Sequence, residues 1–319
     1  MNNLISVVMA TFNGERFIAE QLDSILAQTY SPIEIVCVDD GSSDRTMAIL
    51  EDYKERHPLG IKVFANPENL GSRKAFERGC ALAQGEFIAF SDQDDWWRPD
   101  KLELLHAEIS ERVAFAYSNA EVVDEELGTL HAQRWDNDEK MFHGRNCIEA
   151  LFFNRVMGCT MLARRSFVLR CIPFPEEVYH HDKYLALMAP ALDLEIGFVP
   201  RSLIKYRQHG GNLISGVAKP KKEKKPKRKG RSRTREKAAA RLRQLGRFDL
   251  DSFPNLEIRA RLQKEMKMLE AVLDRKPFRA LFHYHGLYRK PGGWGYYRTR
   301  YARHDLGLIL RCLRPGSRD

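Results

Sequence analysis

No stretch of this chain is apolar for long enough to cross a membrane as a helix, which takes about 20 consecutive residues. The opening residues, MNNLISVVMATFNGER, lack a basic lead-in and a small-residue cleavage site, so no secretory signal is expected there. Cysteine is scarce: six in 319 residues (Cys37, Cys80, Cys147, Cys159, Cys171, Cys312), with no pair at CxxC spacing. That scatter argues against both structural zinc and a disulfide framework, and fits reduced thiols in a cytosolic protein. A net negative charge is also missing, since the formal net charge is +9.

The charge is divided along the chain. Residues 1–216 hold 22 Lys/Arg against 33 Asp/Glu, residues 217–237 hold 12 against 2, and residues 238–319 hold 18 against 8. An acidic body therefore carries a basic arm and tail, an asymmetry that points to a polyanionic partner for the tail. Residues 217–237 are of low complexity and cannot bury a core. Three regions follow: a body over 1–216, a basic linker over 217–237 and a helical, basic-aromatic region over 238–319, where Ile258, Leu262, Met266, Leu269 and Leu273 recur at helical spacing.

Within the body, short β-branched runs alternate with helical patterns. Strands are expected over 4–10, 33–40, 61–66 and 86–92, and helices after each of the first three. Further strands are expected over 113–119, 159–165 and 195–200, and helical segments near 145–153 and 182–189. Such alternation predicts an α/β fold with a mostly parallel sheet flanked by helices, ligands binding at the carboxyl ends of its strands. The polar motifs fall at those ends: Thr11–Gly14, Asp39–Asp44, Asn66–Lys74 and Asp92–Asp95. Asp92, Asp94 and Asp95 repel one another at such spacing, which calls for a cation or a hydrogen-bonding ligand; capping of the following helix is the simpler alternative.

The runs SVVMATFNG, VDDGSSDRT, ENLGSRKAFERGCALAQGEFIAFSDQDDWW, HHD and YRQHGGN, in this order, resemble the family 2 glycosyltransferases of the GT-A fold, and among them bacterial rhamnosyltransferase-like members. The resemblance covers roughly residues 4–215. It implies an inverting transfer of a sugar, possible donors including activated rhamnose, from a nucleotide diphosphate to a hydroxyl of a glycan or lipid-linked glycan in cell-surface polysaccharide synthesis. It also implies a divalent cation, manganese or magnesium, to stabilise the leaving diphosphate.

By the same resemblance Asp94 binds the metal, Asp92 holds ribose or a metal-bound water, and His209 sits near metal or diphosphate. Ala10, Thr11, Phe12 and Asn13 line the donor pocket with Phe12 packing on the base, while Asp40 accepts from a ring N–H and Asp39 orients the loop. Gly71, Arg73, Lys74, Gln93 and Arg207 are further donor-side candidates, although Ala75 stands where family members often carry Asn before the aromatic Phe76. Asp182 matches the catalytic base. His181, Asp95, Trp96 and Trp97 are candidates for the sugar or acceptor cleft, since indole faces stack on sugar C–H faces.

A polybasic arm and a Trp/Tyr-rich tail suit peripheral attachment to the anionic inner face of the plasma membrane. A solvated linker leading to a helical oligomerisation element is the other reading. Two rival classes are a GT-A-like sugar-phosphate nucleotidyltransferase and a non-catalytic nucleic-acid-binding protein. The first expects a glycine-rich phosphate loop where the chain has ATFNGER; the second leaves the strand-end carboxylates without a purpose and sets an acidic body against phosphate. No specific nucleic acid is expected as a partner.

Overall fold

A computed structural model of the chain describes residues 3–135, 141–144, 155–175 and 180–210, together with most of 239–274. The expected helix near 145–153, the basic linker over 217–237 and the aromatic-basic tail beyond 274 lie outside the described residues. Two compact units emerge, one built from residues 1–174, 179–190 and 194–220, the other chiefly from 221–319.

The first unit opens with β1 (Ile5–Thr11), α1 (Ile18–Leu26), β2 (Ile33–Asp39), α2 (Thr46–Arg56), β3 (Ile61–Ala65), α3 (Ser72–Leu82) and β4 (Phe87–Ser91). These four strands pair in parallel in the order β3-β2-β1-β4. Ile5, Val7 and Met9 pack with Ile18, Leu22, Ile25, Leu50 and Tyr53 in one buried cluster. Each fully buried aliphatic side chain of this kind contributes about 1.5–3 kcal/mol. Helix α3 lies so close to β1 that a Cβ on Gly79 would stand 2.4 Å from Val8 Cγ1.

Beyond β4 the sheet is mixed. β5 (Trp96–Trp97), α4 (Lys101–Ala107), β6 (Val113–Val123), β7 (Thr129–His131), β8 (Met161–Arg164), α5 (Arg165–Cys171), α6 (His181–Ala191) and β9 (Glu195–Arg207) complete the unit. β8 runs antiparallel between β4 and β6, β9 lies parallel to β6, and β5 pairs antiparallel with the end of β9. The alternation read from the sequence thus describes the first four strands, and antiparallel additions follow. This order brings the start of β8 and the end of β9 to the edge where β1 to β4 terminate, because Ala89 pairs with Leu162 and Trp96 with Lys205.

In the second unit, α7 (Leu256–Leu273) buries Ile258, Leu262, Leu269 and Val272 at helical spacing. Among the described residues no helix is long and apolar enough to cross a membrane.

Candidate active site

The loops after β1 and β2 are laced together. Thr11 Oγ1 donates to Asp39 Oδ1 at 2.9 Å, and Asp39 also accepts from the Ser42 N–H at 2.8 Å. Ser42 Oγ in turn accepts from the Asn13 N–H at 2.9 Å, while Asn13 Oδ1 accepts from the Ser43 N–H at 2.9 Å. Asn13 holds φ at +48°, a left-handed conformation that Asn adopts more readily than most residues. Ala10, one position earlier, lies in register with Val38. Phe12 projects from this rigid loop with 43 % of its surface exposed, so its ring is not core.

Asp40 is buried, and its carboxylate serves the third loop. It accepts from Asn66 Nδ2 at 2.8 Å, the Leu70 N–H at 3.0 Å and the Gly71 N–H at 2.7 Å. Gly71 follows at φ +87°, a region that a side chain would strain, so the chain can turn there into α3. Arg73 donates to the Phe174 carbonyl at 2.8 Å, and Lys74 pairs with Glu77 at 2.7 Å. Arg73 and Lys74 therefore both hold partners within the protein.

At the end of β4 the three carboxylates take different roles. Asp94 Oδ2 lies 2.8 Å from His209 Nε2, which brings together two residues far apart in the chain. Asp92 is pushed up to about 7, first by burial and then by the charges of Asp94 and Asp182. Asp95 is fully buried and its carboxyl is raised well above the usual range by burial and by its two acidic neighbours. Its Oδ1 accepts from the Arg207 N–H at 3.2 Å; its Oδ2 has no nitrogen or oxygen partner and stands against the Cys159 thiol. None of the three caps a helix: α4 begins at Lys101 after Asp100, with no side-chain cap bond.

Asp182 lies in the first turn of α6, close enough to Asp92 for each to feel the other's charge. Its Oδ2 accepts from the Gly158 N–H at 3.2 Å and its Oδ1 from the Lys183 N–H at 2.5 Å. His181 is enclosed by Phe76, Phe90 and Phe174, and burial lowers it to about 4, so the ring is neutral near pH 7. Its Nε2 faces Gly158, where a Cβ would stand 2.6 Å away.

Arg207 is turned inward. Its guanidinium donates to the carbonyls of Asp94 (2.9 Å) and Glu125 and to the Glu20 carboxylate, and it stacks 4.7 Å from the centroid of the Phe17 ring. This residue fixes the Asp94 backbone rather than offering its charge to solvent. Trp97 is fully buried with the Lys101 ammonium 3.0 Å from its ring centroid, while half-buried Trp96 stacks with Lys205.

Several residues of the site carry no local signal in the sequence. Lys101 opens α4 yet is fully buried, donating to the Cys159 carbonyl at 2.7 Å near Asp92 and Asp95. Gly158 matters through its N–H and its missing side chain. Phe17 supports both His209 and Arg207. All three acquire their roles from contacts between elements distant in the chain.

Residues 6–169, just over half of the chain, match the family model described as glycosyl transferase family 2. The chain belongs to that family. A relative described as an uncharacterized glycosyltransferase of Haemophilus influenzae is 28% identical over 219 residues, spanning 66% of this chain and 68% of its own length. The Escherichia coli UDP-Glc:alpha-D-GlcNAc-diphosphoundecaprenol beta-1,3-glucosyltransferase WfgD is 27% identical over 221 residues, spanning 68% of this chain and 81% of the relative.

Among solved structures, Staphylococcus aureus TarS 1-349 in complex with UDP-GlcNAc superposes with a TM-score of 0.59 at 19% identity, covering 89% of this chain and 80% of that one. The Pyrobaculum calidifontis mannosyltransferase PcManGT, in complex with GDP-Man and Mn2+, gives 0.52 at 16% identity, covering 98% and 86%. These likenesses show the GT-A fold. As a family 2 enzyme, this chain is a glycosyltransferase.

Proposed function

We propose that this family 2 enzyme moves a hexose or deoxyhexose from a nucleotide diphosphate to a hydroxyl of a lipid-linked glycan, with inversion, during cell-surface polysaccharide synthesis. The observation that carries this reading is the convergence of Asp92, Asp94 and Asp182 at one sheet edge, where Asp92 feels both other charges. One group of carboxylates suits the leaving side and a separate one suits the attacking side, as an inverting displacement requires.

The donor set fits a manganese- or magnesium-class cation. Asp92 and Asp94 supply hard carboxylate oxygens and His209 an imidazole nitrogen next to Asp94, and Asp92, raised first by burial and then by the charges of Asp94 and Asp182, is a group whose ionised form a bound cation favours. When bound, such a cation supplies the positive charge that stabilises a departing diphosphate.

The chain's own residues do the rest. Phe12 offers an exposed ring face for the base, on a loop made rigid by Asp39 and Ser42. Asp40 supports the donor side through the Asn66–Gly71 loop that it holds, in addition to any ring N–H it accepts. Gln93 ties that base platform to the acidic loop. Asp182 accepts the proton of the acceptor hydroxyl, its carboxylate aimed by the Gly158 and Lys183 N–H groups. Trp96, half-buried at the same edge, presents an indole face to a sugar.

A lipid-linked acceptor is supported by the E. coli relative's undecaprenol-linked substrate and by the basic linker and tail, which suit an anionic membrane surface at about 1 kcal/mol per Lys/Arg. The body over 1–216 then carries catalysis and the region over 238–319 carries attachment. Thermal-shift screening of a nucleotide-sugar panel, rhamnose donors included, with and without Mn2+ or Mg2+, tests the donor. Transfer by Asp182→Asn tests the base: donor binding is expected to survive and turnover to vanish, and retained turnover removes Asp182 from the mechanism.

A further inference from the structure

We propose that the floor of the acidic site is a second cation site, selective for a thiophilic divalent ion such as zinc or cadmium, and that filling it switches transfer off. Its donors are Asp92, Asp95 and Cys159, whose ligand atoms all lie within 4.8 Å of one another. Two come from the loop after β4 and the third from the turn before β8. Antiparallel pairing of these strands brings the two segments to the same point.

Two features mark this cluster as built for an ion. Asp95 is fully buried, and its Oδ2 has no nitrogen or oxygen partner, only the Cys159 thiol beside the carboxyl, a poorly satisfied state that a metal bond relieves. Charge also favours an ion: two carboxylates and a thiolate carry three negative charges, which a divalent ion largely offsets, whereas the buried Lys101 amino group beside them has its protonation opposed by burial. Metal binding releases to solvent the Cys159 thiol proton and the proton that burial favours on the Asp95 carboxyl, as the metal–sulfur and metal–oxygen bonds form.

Selectivity follows from the donors. Magnesium and manganese prefer the side with the Asp92 and Asp94 carboxylate oxygens and the His209 imidazole, whereas a thiolate favours softer ions. Three protein donors leave a fourth position open, and half-buried Asp92 gives a route in from the cleft. Because Asp92 serves both sites, an ion on Cys159 withdraws it from donor work. That inhibitory consequence rests on the proposed transferase mechanism; the binding itself does not.

The test is a titration of the metal-stripped full-length chain with Cd2+, read through the ultraviolet charge-transfer band of a cadmium–thiolate bond. Wild type is expected to show the band at one equivalent, and both Cys159→Ser and Cys159→Ala to lose it against the common background of the other five cysteines. Asp95→Asn, which keeps the side chain's size, is expected to weaken the same band and stands in if the cysteine variants fail to fold. Absence of the band in wild type, or its persistence in the variants, overturns the site. In transfer assays, Zn2+ is expected to inhibit wild type while Cys159→Ser retains basal turnover and resists zinc. Equal zinc inhibition of both overturns the switch. Absence of transfer with every donor defeats the transferase mechanism instead and leaves the spectroscopic result standing.

Discussion

Gln93 grips the main chain of Phe12 at both ends: its side-chain oxygen accepts from the Phe12 N–H at 2.8 Å and its amide donates to the Phe12 carbonyl at 3.0 Å. The pair acts like one rung of a sheet made by a side chain, and it joins the base platform to the loop carrying Asp92 and Asp94. Gly14 belongs to the same arrangement, since a Cβ there would stand 2.3 Å from Gln93 Oε1. Gln93→Ala removes two neutral hydrogen bonds at about 1 kcal/mol each. Nucleotide diphosphate binding, measured by calorimetry, is expected to weaken by about tenfold or more. Unchanged affinity would show that Phe12 needs no such support.

The opposite end of the sheet, where β1 and β2 begin, contains a carboxylate with a purely structural task. Glu34 is buried on β2, and burial opposes its charge. Hydrogen bonds from Lys62, Ser6 and the Gln84 N–H outweigh that cost and hold its carboxyl below the usual range. With the folded-state pKa depressed, the stabilisation is fully present above the unfolded value and is lost as pH falls through the folded one. Glu34→Gln is expected to cost about 1–3 kcal/mol at neutral pH and to flatten the acid limb of a denaturation series. A mutant with an acid limb as steep as wild type contradicts the assignment.

Gly158 links the aromatic cage to the proposed base. Its N–H reaches Asp182 while its missing side chain admits the edge of His181. Gly158→Ala is expected to push the ring outward and misplace Asp182, lowering kcat about 100-fold, the order seen when a reacting group shifts by an ångström. His181→Ala in the same chain makes room for the new methyl, so the double variant is expected to exceed Gly158→Ala in kcat. If it does not, the steric link between the two residues is absent.

How far the sequence reveals this arrangement depends on the range of the forces involved. The strands β1 to β4 are legible because each is a β-branched run closed by a turn, and parallel pairing then places their polar ends at one edge. The two-residue strand at Trp96–Trp97 is not, since it exists only by pairing with Lys205 and Ile204 far along the chain. Arg207 reads as a phosphate-seeking cation beside His209, yet its hydrogen bonds turn inward to residues on the α1 and β4 sides. Lys101 looks like a solvated helix residue, and only the packing of Trp97 and Cys159 reveals it as a buried charge. Local patterns specify elements; the partner of each charge is decided by topology.

Proton and cation compete for Asp92. Its carboxyl is pushed up to about 7 in the cation-free protein, chiefly by burial and then by Asp94 and Asp182, so the group is increasingly protonated as pH falls through that value. A divalent cation needs the ionised form. Apparent Mn2+ affinity, measured by titration of the metal-stripped chain, is therefore expected to fall as pH drops through about 7. Asp92→Asn is expected to bind more weakly at every pH and to lose this dependence, because no proton remains to be displaced at that position. His209→Ala separates the two contributions: it removes the imidazole beside Asp94 and is expected to weaken Mn2+ binding about 10- to 100-fold while the pH dependence near 7 persists. If the dependence instead vanishes with His209 and survives in Asp92→Asn, the proton in competition sits on the imidazole, and the charge repulsion read at Asp92 has no part in cation binding.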